Sequence, residues 1–174
     1  VTNCNTNVSV IKTTNSNYSY YGGLIGIVSN SAVISDCYAV GSVTAGNYAG
    51  GLIGELYGTL NNSYATGNVI GIDRIGGLVG YLNSGSMEMC YATGDVNSTG
   101  GYVGGLLGYQ NGNTINKVYA TGDVVSTGSD IGGLIGYQSG TINNSFATGN
   151  VKGNGNVGGF SGRHNGTANY CYAI

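Results

Sequence analysis

The tract Gly-Gly-Leu-Ile-Gly, or a close relative of it, begins at Gly22, Gly50, Gly76, Gly104, Gly132 and Gly158, so the chain repeats itself every 26 or 28 residues. A second tract, aromatic-Ala-Thr-Gly-Asn/Asp-Val, follows the middle copies from Tyr64, Tyr91, Tyr119 and Phe146. It has a looser version from Tyr38 and a truncated one from Tyr172. The N-terminal stretch CNTNVSV from Cys4 reads as a degenerate copy of CYAVGSV from Cys37, separated from it by a longer loop. The chain therefore holds six units with partial coils at its ends. A unit this short cannot bury its own apolar face, and stacking on its neighbours is the way to form a core.

Nothing in a unit favours a helix, because glycine pairs, β-branched residues and Asn-rich joints oppose one. Each unit offers two or three extended runs of four to seven residues between Gly, Asn or Ser turn signals. A period of 26 to 28 residues fits one turn of a parallel β-solenoid, in which each coil pairs with the next about 4.8 Å away. The fold class expected is all-β, a single-domain parallel β-solenoid of about six coils and roughly 30 Å length at that spacing. Residues 1-20 form a degenerate N-terminal coil and 21-174 one continuous domain of repeats.

Alternation assigns the faces. In SFATGNV, Ser145, Ala147, Gly149 and Val151 point one way and Phe146, Thr148 and Asn150 the other. With the small set inside, one inward column reads Cys37, Ser63, Cys90, Val118, Ser145 and Cys171. Further core columns are Leu24, Leu52, Leu78, Leu106, Leu134 and Phe160, and Ile34, Leu60, Met87, Ile115, Ile142 and Ala168.

The segments YAGGLIG, IGGLVGYLNSGSMEMCYATGDV and IGGLIGYQSGTINNSFATGNV resemble the GLUG motif, a repeat of bacterial surface adhesins and of the non-catalytic region of immunoglobulin A-specific metallopeptidases. The resemblance runs from about Tyr21 to the C-terminus. It implies a solenoid stalk in a large extracellular protein, and it implies no particular activity.

Composition narrows the functions. Only 7% of residues are charged, far below the usual quarter of a soluble domain, so Asn, Ser, Thr, Tyr and backbone must wet the surface. Five Lys and Arg against seven Asp and Glu argue against a nucleic-acid groove, which draws its affinity from clustered cations. The 35 Gly without Pro or a three-residue period exclude collagen, and the apolar residues recurring in register argue against disorder. No run of about 18 apolar residues is present to span a membrane as a helix. The start at Val1, without Met or a basic-then-apolar leader, is read as that of a mature or excised segment.

No enzymatic constellation stands out. The chain has one histidine, His164, where a zinc peptidase motif of the His-Glu-x-x-His type needs two, and a solvated loop is its expected place. Asp95 and Asp123 share a column flanked by Asn68 and Asn150, but six to eight oxygen ligands for calcium are not evident, and a polar turn is expected. Neither a metal nor a cofactor is expected. Cys37, Cys90 and Cys171 stand two and three rungs apart, beyond disulfide reach; only Cys4 and Cys37 are candidates for neighbours. Free buried thiols acting as small hydrophobes are the favoured reading.

Two outward ladders are candidate contact surfaces. Tyr38, Tyr64, Tyr91 and Tyr119, continued by Phe146 and Tyr172, form an aromatic one; Thr66, Thr93, Thr121 and Thr148 form the other. Cross-strand stabilisation is their first expected role and contact with a glycan or host protein the second. Cys4 and Cys171 mark two ends that expose the same strand column, as expected of a piece of a longer solenoid or of subunits stacking end to end. Asn-x-Ser/Thr sequons occur at Asn7, Asn17, Asn61, Asn97, Asn143 and Asn165. The expected function is that of a non-enzymatic extracellular or cell-surface stalk or filament subunit, and an adhesin module binding glycan or host protein is the alternative.

Overall fold

The computed structural model describes residues 1-13 and 19-174. Thr14, Asn15, Ser16, Asn17 and Tyr18 lie outside the described residues, and the sequon at Asn17 with them. All regular structure described is β, in strands of two to four residues assembled into five parallel sheets. No helix is long and apolar enough to cross a membrane. One coil runs through Tyr64–Ala65, Val69–Gly71, Ile75–Gly76, Val79–Leu82 and Ser86–Glu88 before Tyr91–Ala92 begins the next. Every strand of this coil pairs in register with its counterparts in the coils before and after, Tyr64 opposite Tyr38 and Tyr91 for instance. The chain is a parallel β-solenoid of about six turns. The Tyr-Ala sheet has seven strands because Asn5–Thr6 pairs with Tyr38–Ala39, and Val10–Ile11 likewise joins Val43–Thr44.

Five short strands per coil replace the two or three longer runs expected. The extra corners are made by non-glycine residues in the left-handed region, which sequence patterning does not flag as breakers. One column of them, Asp36, Asn62, Met89, Lys117 and Asn144, precedes the inward thiol column. A second, Tyr48, Arg74, Tyr102 and Asp130, precedes the glycine pairs. Such a conformation costs an ordinary residue roughly 1–2 kcal/mol. Here hydrogen bonds to the neighbouring rung hold it in place, such as Met89 N–H to the Asn116 carbonyl (3.2 Å) and Arg74 N–H to the Gly101 carbonyl (3.1 Å).

The interior follows the expected columns. Leu52, Leu78, Leu106 and Leu134 are fully buried, as are Ile34, Leu60, Met87, Ile115 and Ile142, while Leu24 and Phe160 are partly buried and Ala168 is exposed. The core is nonetheless two cores. A larger one lies among the Leu, Met, Cys and Ala columns, and a smaller one holds Val43, Val69, Ile75, Val96, Val103, Val124 and Ile131. Between them the two walls meet. A Cβ placed on Gly51, Gly77 or Gly105 would stand 2.8 to 3.0 Å from the methyl of Ala65, Ala92 or Ala120, and 2.1 to 2.2 Å from the carbonyl oxygen of the glycine one rung on. The second glycine of each pair and the alanine after each aromatic residue are two sides of one contact.

The inner ends of the Val79–Leu82 sheet form a column that changes character along the axis, from Val28, Leu56 and Leu82 to Gln110, Gln138 and His164. Gln110 is fully buried. Its Nε2 donates to the Asn113 carbonyl (2.7 Å), but its Oε1 has no partner. An unpaired buried acceptor costs about 1–3 kcal/mol, more than the roughly 1 kcal/mol the one bond contributes. The Asn113 carbonyl keeps the Thr141 N–H. Gln110→Leu, which continues the Leu56–Leu82 column, is expected to raise stability by about 1 kcal/mol. Urea unfolding checks this, and a lower midpoint for the variant is the contrary result.

Candidate functional site

The outward aromatic ladder is regular. Ring centroids of Tyr38, Tyr64, Tyr91, Tyr119, Phe146 and Tyr172 follow one another at 4.8 to 5.3 Å, with successive planes within 6° of parallel. The cause is local: each residue starts a two-residue strand whose alanine is pinned in the wall contact, so the ring must stand outward over its neighbour. Each face is covered by the next ring, leaving edges and hydroxyls toward solvent along the row. Burial, then the neighbouring Tyr119 and Tyr64, push the Tyr91 phenol up. Thr93, Thr121 and Thr148 are exposed and Thr66 half-buried beside the ladder, their N–H groups bonded to Ala65, Ala92, Ala120 and Ala39 respectively.

The next outward column is an Asx ladder. Asn68 Oδ1 accepts the Asp95 N–H (2.9 Å), Asp95 Oδ1 the Asp123 N–H (3.0 Å), and Asp123 Oδ1 the Asn150 N–H (2.8 Å). Each side chain caps the turn of the following coil. Among the described residues no group of three His, Cys, Asp or Glu is placed to hold a metal ion. His164 is exposed, with Nδ1 2.7 Å from Gln138 Oε1.

All four cysteines are free. Cys90 is buried, donates to the Glu88 carbonyl (3.1 Å), and burial pushes its thiol up to about 12, so it is no nucleophile at neutral pH. Cys4 and Cys37 are axial neighbours, the Cys4 N–H lying 3.4 Å from the Cys37 Sγ. Cys171, half-buried, donates to the Asn169 carbonyl (3.2 Å). Cys4 and Cys171 adjoin the two outermost strands of the Tyr-Ala sheet, Asn5–Thr6 and Tyr172–Ala173.

A second aromatic surface escaped the sequence reading. Tyr81, Tyr109 and Tyr137 stand outward on the four-residue strands, and Tyr48 and Tyr102 lean over them from the left-handed corners. Here the rings cross instead of stacking: Tyr81 on Tyr109 at 90° and Tyr102 on Tyr137 at 90°, with only Tyr109 and Tyr137 near parallel. The Arg74 guanidinium lies 5.0 to 5.7 Å from the rings of Tyr48, Tyr102 and Tyr109 and is paired with Asp73. Burial pushes the Asp73 carboxyl up, against the pull of Arg74. Further along, Arg163 is 3.2 Å from the buried Asp130.

At the N-terminal end of this seam Glu55 occupies the Tyr81 column but is only 3% exposed. Asn83 Nδ2 donates to it at 3.0 Å, and it raises the phenols of both Tyr20 and Tyr57. Burial first and Glu55 second push the Tyr20 phenol up to about 12. The signal was present in the sequence as Tyr48 and Tyr102 two residues before a glycine pair and Tyr81, Tyr109 and Tyr137 after one. Only the corner geometry brings those two sets together.

Comparison with known proteins agrees with this geometry. The family model described as the GLUG motif matches residues 17-44, 45-70, 73-97 and 127-152, more than half the chain, each match spanning about one coil. No curated protein matches the chain. With the repeat, the glycine–alanine contact and the stacked parallel coils in one molecule, the chain belongs to the GLUG-motif family.

Proposed function

We propose that this chain is a rigid, non-enzymatic stalk segment of an extracellular or cell-surface protein. The observation that carries the reading is the unbroken axial pairing: five parallel sheets run the length of the solenoid, and register is kept from coil to coil. Bending such a rod means lengthening hydrogen bonds on one side of every coil at once, and a paired interior strand leaves no backbone free for a protease to extend. GLUG repeats in a β-solenoid fit a repeat structural or adhesin-like protein. The low charge and the free, unreactive Cys90 suit a passive spacer.

A second reading, an adhesin module that holds glycan or host protein, is favoured by the half-exposed tyrosine and arginine side chains of the crossed seam, since Tyr and Arg dominate the energetics of protein contacts. Two measurements separate these readings from each other and from an intracellular role. Antibodies to the purified chain are expected to label intact cells of its natural source; labelling that needs permeabilised cells sinks the surface assignment. A pure spacer retrieves no saturable partner from host extracts, and Tyr91→Ala and Tyr119→Ala then change only its stability. Saturable capture lost in Tyr102→Ala supports the adhesin reading.

A further inference from the structure

One outer face takes no part in either aromatic surface. In the strands Thr59–Asn61, Ser86–Glu88, Thr114–Asn116 and Thr141–Asn143 the central residue is buried and the flanking hydroxyl and carboxamide or carboxylate side chains stand outward, forming two parallel columns that Thr167–Asn169 continues in register. An open groove of 610 Å³ runs along this face, lined by Glu88, Thr114, Asn116, Asn143, Asn169 and Tyr170. Its wall is held by an amide ladder. Asn116 Nδ2 donates to Glu88 Oε1 (3.1 Å), Asn144 Nδ2 to Asn116 Oδ1 (2.9 Å), and Asn169 Nδ2 to Asn143 Oδ1 (2.9 Å). Tyr170 also lines the groove, from a left-handed corner (φ 54°), and it is 86% exposed.

We propose that this groove binds an extended neutral oligosaccharide. The lining excludes the other common ligands in turn. An anion would need a free cation, and Lys117 beside the groove already faces Glu88 Oε1 at 3.7 Å. A lipid or other apolar ligand would need a broad apolar wall, whereas apart from Met87 and the single ring of Tyr170 the lining is amides, hydroxyls and a carboxylate. A peptide added as a strand along the groove would need free backbone edges, and the strands Ser86–Glu88, Thr114–Asn116 and Thr141–Asn143 are paired on both sides, leaving an unpaired edge there only on Thr167–Asn169.

A sugar hydroxyl donates and accepts at once, and a carboxamide meets both demands with one group. A pyranose ring also has an apolar C–H face, which an aromatic ring covers. In the stacked ladder such faces are used on one another; the Tyr170 ring is open. Because the rungs recur about every 4.8 Å, the same Thr and Asn pair is offered repeatedly along the axis, so a chain of like sugar units can repeat its contacts. The binding does not depend on the stalk reading and adds a site to it.

The test is titration of the isotopically labelled chain with cellohexaose, β-1,4-mannohexaose, chitohexaose and maltohexaose, followed by the side-chain amide resonances in NMR. At least one of these is expected to give saturable shifts confined to Asn116, Asn143, Asn144, Asn169 and their rung neighbours. Tyr170→Ala and Asn143→Asp, the latter keeping an acceptor for Asn169, are expected to weaken binding tenfold or more with the melting temperature nearly unchanged. Absence of saturable shifts with all four sugars overturns the proposal. So do shifts that survive Tyr170→Ala and disappear in Tyr91→Ala, which would move the site to the stacked ladder.

Discussion

Gly105→Ala is expected to destabilise the protein by about 3 kcal/mol or more, at the upper end of what overpacking produces. The added methyl would stand 2.2 Å from the Gly133 carbonyl oxygen and 3.0 Å from the Ala120 methyl. Neither neighbour can retreat: the oxygen belongs to the backbone of the next rung, and the methyl belongs to the opposite wall. Gly112→Ala is the matched control. Gly112 has φ +74° and nothing within 4 Å of a Cβ placed on it, so its cost is the backbone preference alone, about 1 kcal/mol. Urea unfolding of the two variants measures the difference. Equal midpoints would show that the contact between the walls is loose, and the division of the interior into two cores would have to be given up.

The second large effect is expected at alkaline pH. Burial first and Glu55 second raise Tyr20 to about 12; the hydrogen bond to Glu55 first and burial second raise Tyr57. Burial is the leading cause at Tyr81, Tyr91 and Tyr109, which shift the same way. A phenol whose folded pKa lies above its unfolded value of about 10 contributes stability fully below pH 10, and loses it as pH rises through the folded value. Five such groups act in one direction. The Cys90 thiol, raised by burial from about 9 to about 12, acts in the same direction, so stability is expected to begin falling above about pH 9 and to fall steeply from pH 10 toward pH 12, as followed by thermal melts across that range.

Glu55→Gln removes the charge while keeping an acceptor for Asn83. Spectrophotometric tyrosinate titration should then show part of the high-pH population moving back toward 10, at Tyr20 and Tyr57, both of which Glu55 raises. An unchanged titration curve would place the origin of the shifts in burial alone.

The architecture was legible in the chain to an unusual depth. The columns through Leu78, through Met87 and through Cys90 are buried where alternation puts them, and the aromatic and threonine ladders face outward. The number of strands per coil was not legible. Met89, Lys117 and Tyr102 are ordinary residues to any turn rule, and they adopt φ of 52 to 55° because bonds to the next rung hold them there. In the sequence Glu55 is one of seven dispersed carboxylates. Its burial depends on Tyr20, Tyr57 and Tyr81 closing over it from three separate strands or corners.

By itself the sequence determined the period, the inward columns and the parallel stacking, since a repeat of 26 or 28 residues with alternating small apolar positions has no other way to bury them. The tertiary structure decided the corners, the split of the core at the glycine–alanine contact, the crossed tyrosine–arginine seam and the Thr–Asn groove. Each of these arises from contacts between residues that are a coil or more apart in the chain, or on opposite walls of one coil. Such contacts are set by how one rung seats on the next, and local pattern carries no record of that.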